Sequence, residues 1–305
     1  MSEQPGLRLG TRGSPLALWQ TRQVEARLNQ LFPALQTEIC ILNTRGDQIL
    51  DRPLAAIGDK GLFTQELEEG LLQGSLDLAV HSLKDLPTEL PPGLALGAIL
   101  ERHAPWDVLV SRDQRALAEL PPGALIGTGS QRRQRQLQQA RPDLRFADLR
   151  GNIQTRLNKL ARGDYDAIVM AQAALDRLEL TQVVREMLPP EIMLPAVGQG
   201  AIGVEIAAAR PDLAPFLTAL NDPLSAACCL AERAFLRAMG GGCQTPLGAW
   251  ARLNPTQADE LWLSGYLALE SGEGWRAQVS GTIKAPEALG QALAQRLPRQ
   301  QHNPA

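Results

Sequence analysis

Apolar positions come in short runs separated by polar, Gly- and Pro-bearing segments, and the runs alternate between strand-like and helix-like periods. LRLGT at 7–11 predicts a short strand. Ser14 and Pro15 then supply a cap and a first-turn proline, and Ala17, Val24, Leu28 and Leu31 recur along a helix that Pro33 stops. TEICIL at 37–42 predicts a second strand. Thr64 opens a helix with Glu66, Glu68 and Glu69 near its positive end, and LDLAV at 76–80 predicts a third strand. LGAIL at 96–100 predicts a fourth, after which residues 101–105 read as a crossing between domains.

The next stretch repeats this style. ALIGT at 124–128 leads into a helix through GSQRR, and LRFADL at 144–149 leads into one through RGNIQTR. DAIVMA at 166–171 reads as a buried strand followed by the helix AALDRL, and GAIGVEI at 200–206 as one more strand. Asp222 and Pro223 start a helix with Ala227, Leu230, Ala231, Ala234 and Phe235 on one face. LWLSGYLAL and RAQVSGTIK alternate with period two and predict a small antiparallel sheet, and QQHNPA reads as a frayed tail. Strands alternating with helices predict open, doubly wound α/β domains, in which ligands sit beyond the carboxyl ends of strands. A chain of 305 residues is long enough for two or three of them.

Charge matters here through its distribution. The net charge of −3 argues against a nucleic-acid partner. Only four of the 30 basic residues are lysines (Lys60, Lys84, Lys159 and Lys284), and the arginines gather at Arg12, at Arg132, Arg133 and Arg135, and at Arg150 and Arg156. Guanidinium forks grip carboxylates and phosphates, so clustered arginines in loops predict a small polyanionic ligand. QRRQRQLQQA taken alone fits a solvated helix face equally well. The opening MSEQPGLRLG has neither a basic nor an apolar leader and no apolar run is long enough for a membrane span, so a cytoplasmic chain is expected.

Four polar loops fall at strand-to-helix junctions: residues 11–14, residues 81–85, residues 127–133 and residues 150–152. Together they predict one cleft between two α/β domains. Cys243 stands in GGGCQTPLG, a glycine loop that no helix or strand pattern claims, whereas Cys40, Cys228 and Cys229 fall in core-like segments. The four thiols match no zinc or iron–sulfur spacing. A lone loop thiol is more often incidental than reactive. Asp85, beside Lys84, is either a turn residue in a surface ion pair or a carboxylate kept ionised among fixed cations.

The motifs, taken in order, resemble the porphobilinogen deaminase family: TRGSPLALWQ (11–20), TRGD (44–47), GDKGLF (58–63), AVHSLKDLP (79–87), GTGSQRRQ (127–134), LRGNIQTRL (149–157), DAIVMA (166–171), LPAVGQGA (194–201) and GGGCQTPLG (240–248). The resemblance implies two doubly wound domains like type II periplasmic binding proteins plus a small α+β C-terminal domain. Their expected bounds are 1–101 with 201–220, 102–200, and 221–305. It implies a dipyrromethane cofactor joined by a thioether to Cys243, and joining of four porphobilinogens into hydroxymethylbilane, with Asp85 and Lys84 catalytic. Arg12, Ser14, Lys84, Ser130, Arg132, Arg133, Arg150 and Arg156 are expected to hold the cofactor. Arg12, Lys60, Phe63, Arg150, Arg156, Arg177 and Gln199 are expected to hold substrate. Residues 44–63 are expected to cover the cleft. A monomer is expected, with no membrane and no metal. Two departures stand out: Gly129 where many members have Ser, and Gln131 where Leu is usual. Rival readings are an exported anion-binding protein, which leaves Cys243 idle, and a transcription-factor effector module, which would need a DNA-reading segment that the chain lacks.

Overall fold

The structure is a computed structural model and describes residues 6–44, 64–241, 245–269 and 272–296. Three sheets organise it. The first is built from β1 (Leu7–Arg12), β2 (Thr37–Leu42), β3 (Leu78–Ser82), β4 (Leu94–Ile99) and a strand that arrives much later, β10 (Ile202–Ala207). The second holds β5 (Asp107–Ser111), β6 (Leu125–Gly127), β7 (Arg145–Ala147), β8 (Ala167–Ala171) and β9 (Glu186–Met187). The third comprises β11 (Leu247–Asn254), β12 (Gln257–Ala268) and β13 (Gly274–Thr282).

The two large sheets share one plan. Their orders are β2-β1-β3-β10-β4 and β7-β6-β8-β5-β9. In each, the first three strands are parallel, and the fourth runs antiparallel to both of its neighbours. That fourth strand is the one the chain lays down on crossing from the other sheet. Helices α1 (Pro15–Leu31), α2 (Gln65–Leu72) and α6 (Ala214–Leu220) pack on the first sheet. Helices α3 (Gln131–Ala140), α4 (Ile153–Ala161) and α5 (Gln172–Arg177) follow strands of the second. On the third sheet lie α7 (Pro223–Ala238) and α8 (Pro286–Gln295), around Phe235, Leu261, Leu263 and Leu293. Among the described residues, no single helix is long and apolar enough to cross a membrane.

Helix starts follow the expected chemistry. The side chains of Ser14, Ser130, Asn152 and Asp222 accept from Ala17 N, Arg133 N, Thr155 N and Ser225 N at 3.3, 3.4, 2.9 and 2.8 Å. Several elements differ from expectation. β5 is a central strand with every residue buried, and its DVLVS run lacks the alternation that marks half-buried strands. β11, α6 and α8 are also additional to the sequence reading. Cys40 is half-buried rather than a core residue, because β2 is an edge strand and leaves Ile41 exposed.

The two crossings run side by side. His103 N donates to Gly200 O at 3.1 Å and Leu100 N to Ile202 O at 3.0 Å. Gly200 has φ +89, and a Cβ there would collide with the His103 carbonyl, so the contact requires glycine. Glu232 on α7, fully buried, binds Arg102 through both oxygens at 2.6 and 3.1 Å. It also accepts from Gly198 N and Ala251 N at 2.8 Å each. One carboxylate therefore ties both crossings to the third sheet.

Candidate active site

The carboxyl ends of β1, β3, β6 and β7 carry the four polar loops, and the crossings bring those of the two large sheets together. Arg12 ends β1 and Ser14 caps α1. After β3, a single 3-10 turn, Leu83–Asp85, buries Leu83 and leaves Asp85 exposed. Arg12, Ser14, Gln20, His81, Ser82 and Asp85 surround a small pocket of about 70 Å³. Gln20 Nε2 donates to Ser82 Oγ at 2.9 Å and Ser82 Oγ donates back to Gln20 Oε1 at 3.1 Å, which fixes one wall.

Facing this turn is a buried polar chain. Lys84 Nζ donates to Gln199 Oε1 at 3.4 Å, and Gln199 Nε2 donates to Pro105 O at 2.6 Å and Asp107 Oδ1 at 3.0 Å. Asp107, fully buried at the start of β5, accepts from Arg132 NH1 at 2.7 Å and from Arg133 Nε and NH2 at 3.0 and 2.7 Å. Arg132 NH1 also reaches Leu194 O at 2.7 Å, and Arg133 NH1 reaches Val169 O at 2.9 Å. Burial alone would raise the Asp107 carboxyl, but the two guanidinium groups hold it well below the usual carboxylate range. Burial brings Lys84 down to about 8, and Asp85 beside it opposes that shift.

Arg156 on α4 donates Nε to Gly151 O at 2.8 Å. Burial lowers its pKa to about 10; the charge of Arg133 adds to that and the charge of Asp85 opposes it. Arg150 is half-buried in the loop before α4, where Gly151 adopts φ +110. The structure therefore gathers Arg12, Ser14, Lys84, Asp85, Ser130, Arg132, Arg133, Arg150, Arg156 and Gln199 on strand ends, loops and first helical turns that meet at the crossings.

Arg177 stands apart. It is buried, its guanidinium lies over the Trp19 ring at 5.5 Å, and NH2 donates to Gly200 O at 2.6 Å. Cys243, Lys60 and Phe63 lie outside the described residues, as does nearly all of the expected cover at 44–63. Asp107 is the residue that the sequence reading missed. Its signal was a carboxylate opening an otherwise apolar run, WDVLV, in a chain rich in arginine. The Gly129 departure also has a local reason: a Cβ there would lie 2.7 Å from Asp148 Oδ1, so the Asp148 carboxylate occupies that room.

Comparison with known proteins bears on this arrangement. The family model described as porphobilinogen deaminase, dipyromethane cofactor binding domain, matches residues 7–214, and the model of the porphobilinogen deaminase C-terminal domain matches residues 226–299. The chain belongs to the porphobilinogen deaminase family. A porphobilinogen deaminase of Methylobacillus flagellatus is 50% identical over 298 residues, covering 97% of this chain and 95% of that relative. One of Moorella thermoacetica is 51% identical over 292 residues, covering 95% of this chain and 92% of the relative. Among solved structures, the periplasmic aliphatic sulphonate binding protein SsuA of Escherichia coli superposes with TM-score 0.42 at 16% identity, over 78% of this chain and 71% of that one. The VFT2 domain of Bordetella pertussis BvgS gives TM-score 0.43 at 16% identity, over 72% and 88%.

Proposed function

We propose that this member of the porphobilinogen deaminase family deaminates porphobilinogen and joins four units head to tail into hydroxymethylbilane, on a dipyrromethane primer held by a thioether to Cys243. It is a transferase of tetrapyrrole biosynthesis, working as a cytoplasmic monomer, with domains at 1–101 with 201–220, at 102–200, and at 221–305. The observation that carries the reading is the charge pattern of the cleft: an exposed carboxylate, Asp85, whose charge acts on Lys84 and Arg156 and which shares a pocket with Arg12.

The donor set fits a dipyrromethane, because each pyrrole carries two carboxylates and therefore needs several fixed cations. Arg12, Ser14, Lys84, Ser130, Arg150 and Arg156 would hold those carboxylates. Arg132 and Arg133 are set deeper, at 5% and 7% exposure, and act on the ligand with their charge partly neutralised by Asp107. When bound, the primer supplies the nucleophilic carbon, so no serine or cysteine triad is needed. The Asp85 carboxylate stabilises the positive charge that develops on an incoming pyrrole as its amine leaves. Lys84 orients the substrate carboxylates, held in turn by Gln199. Arg177, stacked on Trp19, reads best as a substrate group at the rear of the cleft.

Intact-protein mass tests the assignment. Protein from cells that make porphobilinogen should carry the mass of two linked pyrroles, and Cys243→Ser should lose it while Cys40→Ser and Cys228→Ser keep it. Added mass persisting on the Cys243 variant would sink the attachment site. No added mass on any form would favour an anion-binding protein instead.

A further inference from the structure

Beneath the Asp85 pocket lies a second set of titratable groups, which the reading above leaves unused. Glu205 on β10 has no exposed surface, and its Oε2 stands 3.1 Å from His81 Nε2 on neighbouring β3. The register places Gly203 opposite His81 and Glu205 opposite Ala79, so the two side chains leave the same face of the sheet, one diagonal step apart. α2 packs against both strands and contributes Glu68, 7% exposed, close enough for its charge and that of Glu205 to act on each other. The surroundings are apolar: Leu67, Leu71, Leu76 and Ala79. His81 Nε2 and both oxygens of Glu205 lack a well-aligned hydrogen bond.

A buried carboxyl and a buried imidazole without well-aligned hydrogen bonds are costly unless a proton lies between them. A proton placed between His81 Nε2 and Glu205 Oε2, 3.1 Å apart, relieves that cost, and buried Glu68 packs beside the pair. Burial and the charge of Glu205 push Glu68 above the ordinary carboxylate range, in line with this. Among the described residues, Glu69 from α2 acts on Glu68, and Arg12 from the end of β1 and Asp85 from the turn after β3 share the pocket that His81 lines. His81 also lines the pocket that Asp85 and Arg12 share, and about 70 Å³ is room enough for water to link them.

We propose that Glu68, His81 and Glu205 form a proton-holding trio that exchanges one proton with the Asp85 pocket in each round of coupling. The proposal rests on the porphobilinogen reading. Each coupling replaces the C–N bond of an incoming aminomethyl group and one C–H bond of the acceptor pyrrole by a C–C bond. The C–N electron pair leaves on ammonia, the C–H pair returns to the ring, and one proton is set free. His81 passes its proton by way of Asp85 to the departing ammonia, so that ammonium leaves and cannot add back. Asp85 collects the C–H proton and returns it to His81, which restores the trio. His81 is thus a positioning residue acting through Asp85, and Glu205 and Glu68 set how tightly it holds its proton.

The test is imidazole NMR on the full-length protein, together with ammonia release from porphobilinogen followed against pH, for wild type, Glu205→Gln and Glu68→Gln. His81 should titrate in the unliganded wild type. Its pKa should fall by about one pH unit in Glu205→Gln, the size that loss of an adjacent opposite charge gives. The alkaline limb of kcat should move to lower pH by the same amount, with KM unchanged. Glu68→Gln should shift both in parallel, whichever way, and His81→Gln should lower kcat roughly 10²-fold and remove the limb. A His81 ring that stays neutral throughout, or a kcat limb that ignores both carboxyl variants, would overturn the proposal. Should Glu205→Gln fail to fold, Glu68→Gln and the wild-type titration decide alone. Absence of ammonia release by the wild type at every pH would instead overturn the porphobilinogen reading, whatever His81 does.

Discussion

Gln199 stands between Lys84 and Asp107, accepting from the ammonium at 3.4 Å and donating to the carboxylate at 3.0 Å. A residue on one crossing thereby transmits the orientation of the deep arginine pair to the turn that bears Asp85. Gln199→Leu should leave Lys84 without its hydrogen-bond acceptor and Asp107 with one donor fewer. Substrate affinity should fall by about 1–3 kcal/mol, since one of the bonds involves a charged group. Calorimetric binding of porphobilinogen to the primed enzyme measures this, and unchanged affinity would mean that Lys84 is placed by other contacts.

Asp107→Asn should destabilise the fold strongly. It removes the carboxylate that pairs with the buried guanidinium groups of Arg132 and Arg133, and breaking a buried pair in this way costs about 3–5 kcal/mol. Asp107→Leu should be at least as damaging. Urea denaturation of the variants gives the figure. A change under about 1 kcal/mol would mean that the arginines find other partners or reach solvent.

Lys84 gives a pH signature. Its folded pKa is depressed to about 8 by burial. The charged form therefore prevails below pH 8, and anionic ligands should bind progressively more weakly as pH rises through that value. For stability the sign is opposite: the unfolded chain keeps its lysine protonated to higher pH, so between about 8 and the ordinary lysine value stability should rise with pH. Lys84→Arg should abolish the binding limb, because arginine stays charged. Binding titrations between pH 6.5 and 10 on both forms check this.

Glu232→Gln should loosen the crossings without touching the cleft. The bidentate bond to Arg102 and the two backbone N–H bonds meet on one buried carboxylate, so stability should drop by about 3–5 kcal/mol. Hydrogen exchange should rise first at residues 198–201 and 102–104. Uniform loss of protection across the molecule would instead mean that Glu232 serves general stability only.

How far the sequence could be read depends on the kind of signal. Helix starts were legible because a capping side chain and a first-turn proline act within a few residues, as at Ser14 and Asp222. The four polar loops were legible for the same reason. β5 was not, because a strand buried on both faces has no alternation to betray it. Asp107 was missed with it: its meaning lies in Arg132 and Arg133, which reach it only through tertiary structure. The trio of Glu68, His81 and Glu205 was hidden likewise, since three separate elements supply its members.

The interleaving of the two large sheets has a consequence for synthesis on the ribosome. β10 lies between β3 and β4, so the amino-terminal sheet has a gap at its middle until residues 202–207 have emerged. At ~5–20 residues per second, the roughly one hundred residues between β4 and β10 occupy on the order of ten seconds. Through that interval β3 and β4 keep unpaired edges, and α2 covers a core that lacks Glu205. Truncated nascent chains ending before β10 should therefore be protease-sensitive and bind chaperones, and resistance should appear abruptly once that strand clears the exit tunnel.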